Sequence, residues 1–148
     1  MKKRIAISAC LLGEKCRYDA STNLNSKLLE VLEDAILIPF CPEAYAFGTP
    51  RPTMDLVEFE EGNRAISNVT GENLSQPVIA YANHFFDTYE NIDLFIGKDR
   101  SPSCGVCSAK VYDKEKNLLS TKEAGLMTKE VQKRGIPTID AEKYGELL

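Results

Sequence analysis

The sequence predicts an α/β fold: a single compact three-layer domain over residues 1–148, with a mainly parallel, Rossmann-like sheet flanked by helices. Short, continuous apolar runs are typical of strands that are buried on both faces of a parallel sheet. Between these runs lie segments with apolar residues at helical spacing, and strands that alternate with helices are typical of this fold class. A chain of 148 residues is long enough to bury a core without disulfides.

Apolar runs of four to seven residues predict the strands. In chain order they are 3–9, Ile36–Phe40, Leu94–Gly97 and 136–139, and Ala109–Tyr112 is a further candidate strand. Pro39 and Pro137 lie within two of these runs. Because proline lacks a backbone N–H, it favours an edge strand or a strand end at these two positions.

Four segments predict helices, and these are 26–34, 76–89, 120–134 and 141–148. Asn25, or the serine after it, suits the N-cap of the first helix, and Ser75 suits the start of the second. A capping box formed by Ser120 and Glu123 predicts the start of the third helix, and Gly135 predicts its end.

Residues 45–72 do not follow the alternation of strands and helices. The segment is rich in proline and glycine, and within it residues 57–66 favour a hairpin that turns at 61–63. We expect the segment as a whole to be a long loop. Loops of this length in compact domains usually act as lids or binding loops.

Composition excludes several classes of protein. A net charge of −4 and a pI near 5.1 argue against nucleic-acid binding, which usually requires a basic surface. No apolar run approaches the roughly 20 residues that a membrane-spanning helix needs. The apolar run before Cys10 is too short for the core of a lipoprotein signal. We therefore expect a cytoplasmic protein that binds neither nucleic acid nor membrane.

Five cysteines are the residues most informative about function. Their number is odd and cytosolic thiols stay reduced, so a disulfide framework is not expected. Isolated cysteines are most often small buried hydrophobes. However, Cys10 and Cys41 directly follow predicted strands, and Cys104 lies in the loop after a third. Because the carboxyl ends of parallel strands form the usual ligand-binding edge, this placement favours a thiolate site over simple packing.

The residues around these cysteines resemble a bacterial family of formerly unknown function that includes the 2-thiouracil desulfidases. The matching segments, in order, are 8–13 (Ser-Ala-Cys-Leu-Leu-Gly), 16–19 (Cys-Arg-Tyr-Asp), 41–43 (Cys-Pro-Glu), 49–51 (Thr-Pro-Arg) and 98–105 (Lys-Asp-Arg-Ser-Pro-Ser-Cys-Gly). The chain departs from the family pattern at Ala20, at 52–55 and in the segment after Cys107. As an ordered set, the matching segments are specific.

The resemblance implies a 4Fe–4S cluster held by Cys10, Cys41 and Cys104, with one iron left open. It also implies an enzyme that removes sulfur as sulfide from a small thiolated heterocycle such as 2-thiouracil, by hydrolysis without net redox chemistry. Cys16 and Cys107 are additional cysteines, or one of them is a fourth ligand that would close the open iron.

Several polar residues near these motifs are candidates for catalysis. Glu43 is the candidate general acid or base, because attacking water needs a proton acceptor near the metal. Ser101 and Asp19 are candidates to move a second proton and to orient the substrate, and Lys98 and Arg51 are candidates to balance the charge of the thiolates. Two of these residues also have a possible structural role. Glu43 could stabilise the first turn of a helix, and Asp19 could be a turn residue.

Three other functions remain open. Cys104 and Cys107 could form a dithiol redox pair, although such pairs usually follow the first strand of a thioredoxin-like chain. Four of the cysteines could hold a structural zinc ion, although such sites usually show two short cysteine spacings. The third is a module that binds sulfide or a cluster without turnover.

Overall fold

The computed structural model describes residues 2–15, 17, 19 and 23–146. Within these ranges the strands are Arg4–Ser8 (β1), Ile36–Phe40 (β2), Met54–Phe59 (β3), Gly62–Ser67 (β4), Leu94–Gly97 (β5), Ala109–Tyr112 (β6), Leu118–Glu123 (β7) and Thr138–Asp140 (β8). The α-helices are Ser26–Val31 (α1), Pro42–Phe47 (α2), Ser75–Thr88 (α3), Leu126–Lys133 (α4) and Ala141–Glu146 (α5). None of the described helices is long and apolar enough to cross a membrane.

A parallel sheet forms the first half of the fold, in the strand order β2-β1-β5-β8. Ile5 of β1 pairs with Leu37 on one side and with Leu94 on the other. All four strands were predicted from their apolar runs, so this part of the α/β prediction is confirmed. Pro39 lies in β2, an edge strand, where a missing backbone N–H costs the sheet no hydrogen bond.

A second four-stranded sheet, in the order β4-β3-β6-β7, was not predicted. β3 and β4 form an antiparallel hairpin in which Phe59 pairs with Gly62, which confirms the hairpin expected in this segment. The expectation of a long loop over 45–72 is wrong, because this segment also supplies the end of α2 and two complete strands. Hydrogen bonding of β3 to β6 extends the hairpin into a sheet.

The predicted third helix begins later than expected. Residues 118–123 form β7, which pairs with β6, and α4 starts only after Gly125. Ser120 Oγ does contact Glu123 Oε2 at 2.9 Å, but as two residues of a strand and not as a capping box. A Cβ at Gly125 would lie 2.4 Å from the carbonyl carbon of Ser103. The backbone at the start of α4 therefore packs directly against the loop that contains Ser103, and only glycine fits at this position. The other predicted helices are confirmed, with Asn25 accepting a hydrogen bond from Leu28 N at the start of α1.

Two apolar clusters hold the layers together. One lies between the parallel sheet, α3, α4 and the second sheet, and it contains the stacked rings of Phe40 and Phe95, 4.7 Å apart. The other covers the opposite face of the parallel sheet, where Ile7 and Ile96 pack with Leu28 of α1. The result is a mixed α/β fold with two four-stranded sheets flanked by helices, whose parallel strands all end at one edge.

Candidate active site

A cleft of about 590 Å³ lies at the carboxyl ends of β1, β2 and β5 and extends along the second sheet. Cys10, Cys41 and Cys104 all line this cleft. The structure therefore brings together three thiols that lie far apart in the sequence, because three parallel strands end side by side.

Cys10 lies in a short 3₁₀ turn, Ala9–Leu12, that directly follows β1. Its side chain is buried, and its Sγ lies 3.3 Å from Ser8 Oγ. Asn23 donates an amide hydrogen bond to the same sulfur at 3.6 Å. Two polar side chains thus surround the Cys10 sulfur within the apolar end of the sheet.

Cys41 joins β2 to α2 and is half-buried. Its backbone N–H donates to the hydroxyl oxygen of Tyr81 on α3, at 3.1 Å. Burial raises the pKa of Tyr81, so this hydroxyl stays protonated at neutral pH. No sequence motif points to Tyr81, since its role depends on the packing of α3 against α2.

Cys104 is held by its own loop, residues 98–105. Ser101 Oγ accepts hydrogen bonds from the backbone N–H groups of Ser103 and Cys104, both at 3.1 Å. The backbone N–H of Lys98 donates to Cys104 Sγ at 3.4 Å. The loop therefore folds back on itself, and its first residue supplies a hydrogen bond to the sulfur of its seventh.

Glycine is required where this loop returns to the sheet. A Cβ at Gly97, the last residue of β5, would lie 1.8 Å from the carbonyl oxygen of Cys104. A Cβ at Gly105 would lie 2.9 Å from the carbonyl oxygen of Ser101. Because real Cβ atoms do not approach other heavy atoms so closely, any side chain at Gly97 would displace Cys104.

Without a bound cation, the side chain of Cys104 is a neutral thiol at neutral pH. Burial raises its pKa to about 12, and the negative charges of Cys10 and Glu43 act in the same direction, opposed by hydrogen bonds from Ser101 and Lys98. A metal that binds the sulfur would remove this proton.

Glu43 lies in the first turn of α2, two residues after Cys41, and faces the cleft. Its Oε2 accepts a hydrogen bond from Ser103 Oγ at 2.9 Å, and its Oε1 lies 3.8 Å from Arg51 Nε. Burial raises the pKa of Glu43, against the opposing effects of the Arg51 charge and the Ser103 hydroxyl. Ser103, which our sequence analysis did not select, lies within the Ser-Pro-Ser-Cys segment and could have been found there.

The other predicted polar residues differ in their placement. Ser101 lines the cleft, where its oxygen already orders the Cys104 loop. Asp19 is exposed and is not among the described residues that line the cleft. Arg17, two residues before it, does line the cleft. The structure thus brings Glu43 and Ser101 to the cleft that the thiols line.

Positive charge surrounds the cleft although the chain as a whole is acidic. The basic residues that line it, within the described ranges, are Arg17, Arg51, Lys98, Arg100 and Lys110, and the acidic residues are Glu43, Asp55 and Asp99. Nearby cations favour the thiolate form of cysteine. This surplus of basic groups is suited to a site that gathers several negative sulfur atoms.

The remaining cysteines take no part in the cleft as far as it is described. Cys107 is exposed, does not line the cleft, and its Sγ lies 3.7 Å from the carbonyl oxygen of Lys122. No disulfide joins any two of the described cysteines. Cys16, the other candidate for a fourth ligand, lies outside the described residues.

The spacing of the three thiols does not match a site for one metal ion. Among the described residues, no group of three His, Cys, Asp or Glu side chains is close enough to hold a single ion. In an iron–sulfur cluster each cysteine binds a different iron, so the ligands lie further apart than those of a zinc ion. The structure therefore provides no support for the structural zinc alternative within these residues.

Comparison with known proteins gave three similarities. A sequence model of the family described as 2-thiouracil desulfurase matches residues 5–143. A Bacillus subtilis (strain 168) protein, uncharacterized protein YbbK, is 28% identical, and the match covers 68% of this chain and 72% of that protein. A solved structure described as the 4Fe–4S-dependent thiouracil desulfidase TudS is 28% identical, with a TM-score of 0.74 over 99% of this chain and 95% of that one.

Proposed function

The chain belongs to the 2-thiouracil desulfurase family, and from this membership we propose that it removes sulfur as sulfide from a thiolated nucleobase such as 2-thiouracil. In this reaction water adds to the thiocarbonyl carbon, the carbon–sulfur bond breaks, and a carbonyl group and hydrogen sulfide are formed without net electron transfer. The observation that carries the proposal is the convergence of Cys10, Cys41 and Cys104 on one cleft.

We also propose that these three cysteines hold a 4Fe–4S cluster, as the similarity to TudS suggests. The residues present fit such a group. Three soft thiol donors face one cavity, and a cluster held by these three alone would leave one iron open. Lys98 N and Asn23 Nδ2 point hydrogen-bond donors at two of the sulfurs, and such hydrogen bonds tune iron–sulfur clusters. When bound, the cluster would supply a soft Lewis-acidic iron for the sulfur of the substrate.

Glu43 is the residue to which we assign proton transfer. Its carboxylate lies in the cleft between the Cys41 and Cys104 loops, and burial raises its pKa, which favours accepting a proton. Glu43 would take a proton from the attacking water and return it to the departing sulfur. The Ser103 hydroxyl holds the carboxylate in place from the opposite loop.

Ser101 and Asp19 have more limited parts in this proposal. Ser101 lines the cleft beside Cys104, where it would help to orient the substrate, and its oxygen also accepts two backbone hydrogen bonds that order the loop. Asp19 stays a prediction, because it is exposed and both of its chain neighbours lie outside the described residues.

Anaerobic reconstitution tests the proposal. Wild-type protein treated with iron and sulfide should turn brown, contain about four irons as a 4Fe–4S cluster requires, and release sulfide and uracil from 2-thiouracil. Single alanine variants of Cys10, Cys41 or Cys104 should lose iron and activity together. Cys107→Ala is the matched control and should keep both, because Cys107 is exposed and away from the cleft.

Two results would contradict the proposal. Wild-type protein that stays colourless after reconstitution would rule out the cluster. A Cys107→Ala variant that loses activity while it keeps its iron would instead support the dithiol redox alternative.

A further inference from the structure

We infer that Asp140 is the positioning residue that fixes Cys104 at the cleft, by anchoring the segment that follows this cysteine. The inference rests on the proposed function for its catalytic meaning. The anchoring of Cys104 by Asp140 involves the protein alone, so it can be tested in the iron-free protein.

Three hydrogen bonds from one segment converge on the Asp140 carboxylate. The backbone N–H groups of Val106 and Cys107 donate to its two oxygens, each at 2.8 Å. The Ser108 hydroxyl donates to Oδ1 at 3.0 Å, and it also accepts the backbone N–H of Arg100 at 2.8 Å. Asp140 therefore binds the loop after Cys104 directly, and through Ser108 it also reaches the loop before it.

Asp140 is itself fixed to the sheet. It is the last residue of β8 and pairs in register with Gly97, the residue from which the loop departs. Its side chain is buried, with the residue only 6% exposed. A buried carboxylate is costly unless it is hydrogen-bonded. The three hydrogen bonds to Asp140 therefore offset the cost of burying its charge and also hold the loop in place.

The contacts of the loop with α4 are between neutral groups. The backbone N–H groups of Leu126 and Met127, in the first turn of α4, donate to the carbonyl oxygens of Pro102 and Ser103 at 3.0 and 2.7 Å. Hydrogen bonds to an ionised acceptor are roughly twice as strong as such neutral ones. Asp140 thus supplies charge-assisted hydrogen bonds to the chain after Cys104, which the contacts with α4 do not provide.

The acidic residues Asp99 and Glu142 connect the first half of the loop to α5, and neither is bonded to the segment after Cys104 in the way that Asp140 is. Asp99 accepts a hydrogen bond from the backbone N–H of Glu142 at 2.9 Å. Glu142 is largely exposed, and its carboxylate pairs with Arg100 at 2.9 Å. Because Arg100 belongs to the Cys104 loop, the matched control is Glu146→Gln, which removes a negative charge from the same helix at an exposed carboxylate that pairs with Lys143 at 3.4 Å.

Thiol alkylation of the iron-free protein tests the inference. Anaerobic N-ethylmaleimide treatment followed by peptide mass mapping gives separate rates for Cys104 and Cys10, both of which are buried. In Asp140→Ala we expect the Cys104 rate to rise about tenfold or more, equivalent to about 1.4 kcal/mol of local opening, while the Cys10 rate changes little. Asp140→Asn keeps the shape and one acceptor oxygen, so it should restore part of the protection. Glu146→Gln should behave as wild type.

Each outcome decides the inference. Selective exposure of Cys104 that Asp140→Asn partly reverses supports it, as does a changed electron paramagnetic resonance spectrum in reconstituted, dithionite-reduced Asp140→Asn protein of normal iron content. An unchanged Cys104 rate, or equal increases at Cys10 and Cys104, overturns it. If Asp140→Ala does not fold, the ratio of the Cys104 alkylation rate to the Cys10 rate is measured in Ser108→Ala and Asp140→Asn instead. A higher ratio than in wild type supports the inference, and an unchanged ratio overturns it. Wild-type protein that protects Cys104 but takes up no iron contradicts the proposed function and not the anchoring role.

Discussion

The hydroxyl of Ser103 donates a hydrogen bond of 2.9 Å to Oε2 of Glu43, across sixty residues of sequence. Ser103 precedes Cys104, and Glu43 follows Cys41 by two positions. One hydrogen bond therefore connects two of the three cysteine-bearing loops through the residue that we assign to proton transfer. Any displacement of the Cys104 loop will also displace this carboxylate.

Replacement of Glu43 by glutamine should separate catalysis from cluster binding. The amide keeps the size of the side chain and can still accept the Ser103 hydrogen bond, but it cannot take a proton from water. We expect sulfide release per iron to fall by about 10²–10⁴-fold, the usual contribution of a general acid or base, with unchanged iron content. Glu33→Gln, at an exposed position after α1, is the control. Full turnover in the Glu43 variant would remove this residue from the mechanism.

Replacement of Ser101 by alanine should destabilise the protein even without iron. Two backbone N–H groups, those of Ser103 and Cys104, lose their acceptor inside the loop. We expect the free energy of unfolding to fall by about 1–3 kcal/mol, measured by urea denaturation of the apoprotein. Ser26→Ala, at an exposed position in α1, should change it much less. Equal stability of wild type and Ser101→Ala would show that the loop does not depend on this serine.

A methyl group at Gly97 should be among the most damaging small changes in the chain. The added Cβ would overlap the carbonyl oxygen of Cys104, so the loop or β5 must move. We expect a loss of about 3 kcal/mol or more, together with loss of iron binding. Gly145→Ala in α5 is the matched control, since an added Cβ there meets nothing within 4 Å. The control should be neutral or stabilising, because alanine favours helix by about 1 kcal/mol over glycine. Similar melting temperatures for the two variants would contradict the close approach.

Thr128 offers a stabilising substitution. The residue is fully buried in α4, and its Oγ1 has no hydrogen-bond partner among the residues that the structure describes. Valine replaces this hydroxyl with a methyl group of similar size, so Thr128→Val should raise the free energy of unfolding by about 1 kcal/mol. Thr88→Val is the contrast, because the Thr88 hydroxyl donates to the carbonyl oxygen of His84 at 2.8 Å. A loss of stability in Thr128→Val would mean that the buried hydroxyl is satisfied.

The parallel sheet could be predicted from sequence because its strands are buried on both faces. An apolar run such as Leu94–Gly97 is too short for a helix, so it indicates a buried strand. Neighbouring parallel strands end at the same edge of the sheet, and this places Cys10 and Cys41 together there. The second sheet lacks such runs. β7 has exposed leucines at 118 and 119 followed by polar residues, and its structure depends on pairing with β6, which no local pattern reveals.

The same distinction applies to the site. Cys104, Ser101 and Glu43 lie in local motifs, so their place in one cleft could be predicted from the residues around them. Tyr81 and Asp140 could not be predicted in this way. Tyr81 contacts Cys41 only because α3 packs on α2, and Asp140 meets the Cys104 segment only because β8 pairs with β5. Both residues act through the backbone of other segments, and such contacts are specified by topology.

The chain segment that carries Cys104 leaves the parallel sheet at Gly97 and enters the second sheet at Ala109. Cys10 and Cys41, by contrast, both directly follow strands of the parallel sheet. A group bound to all three sulfurs would therefore act as a cross-link between the ends of β1 and β2 and the connection to the other sheet. Because such a group binds only the folded arrangement, its loss should loosen the docking of the two sheets as well as abolish chemistry.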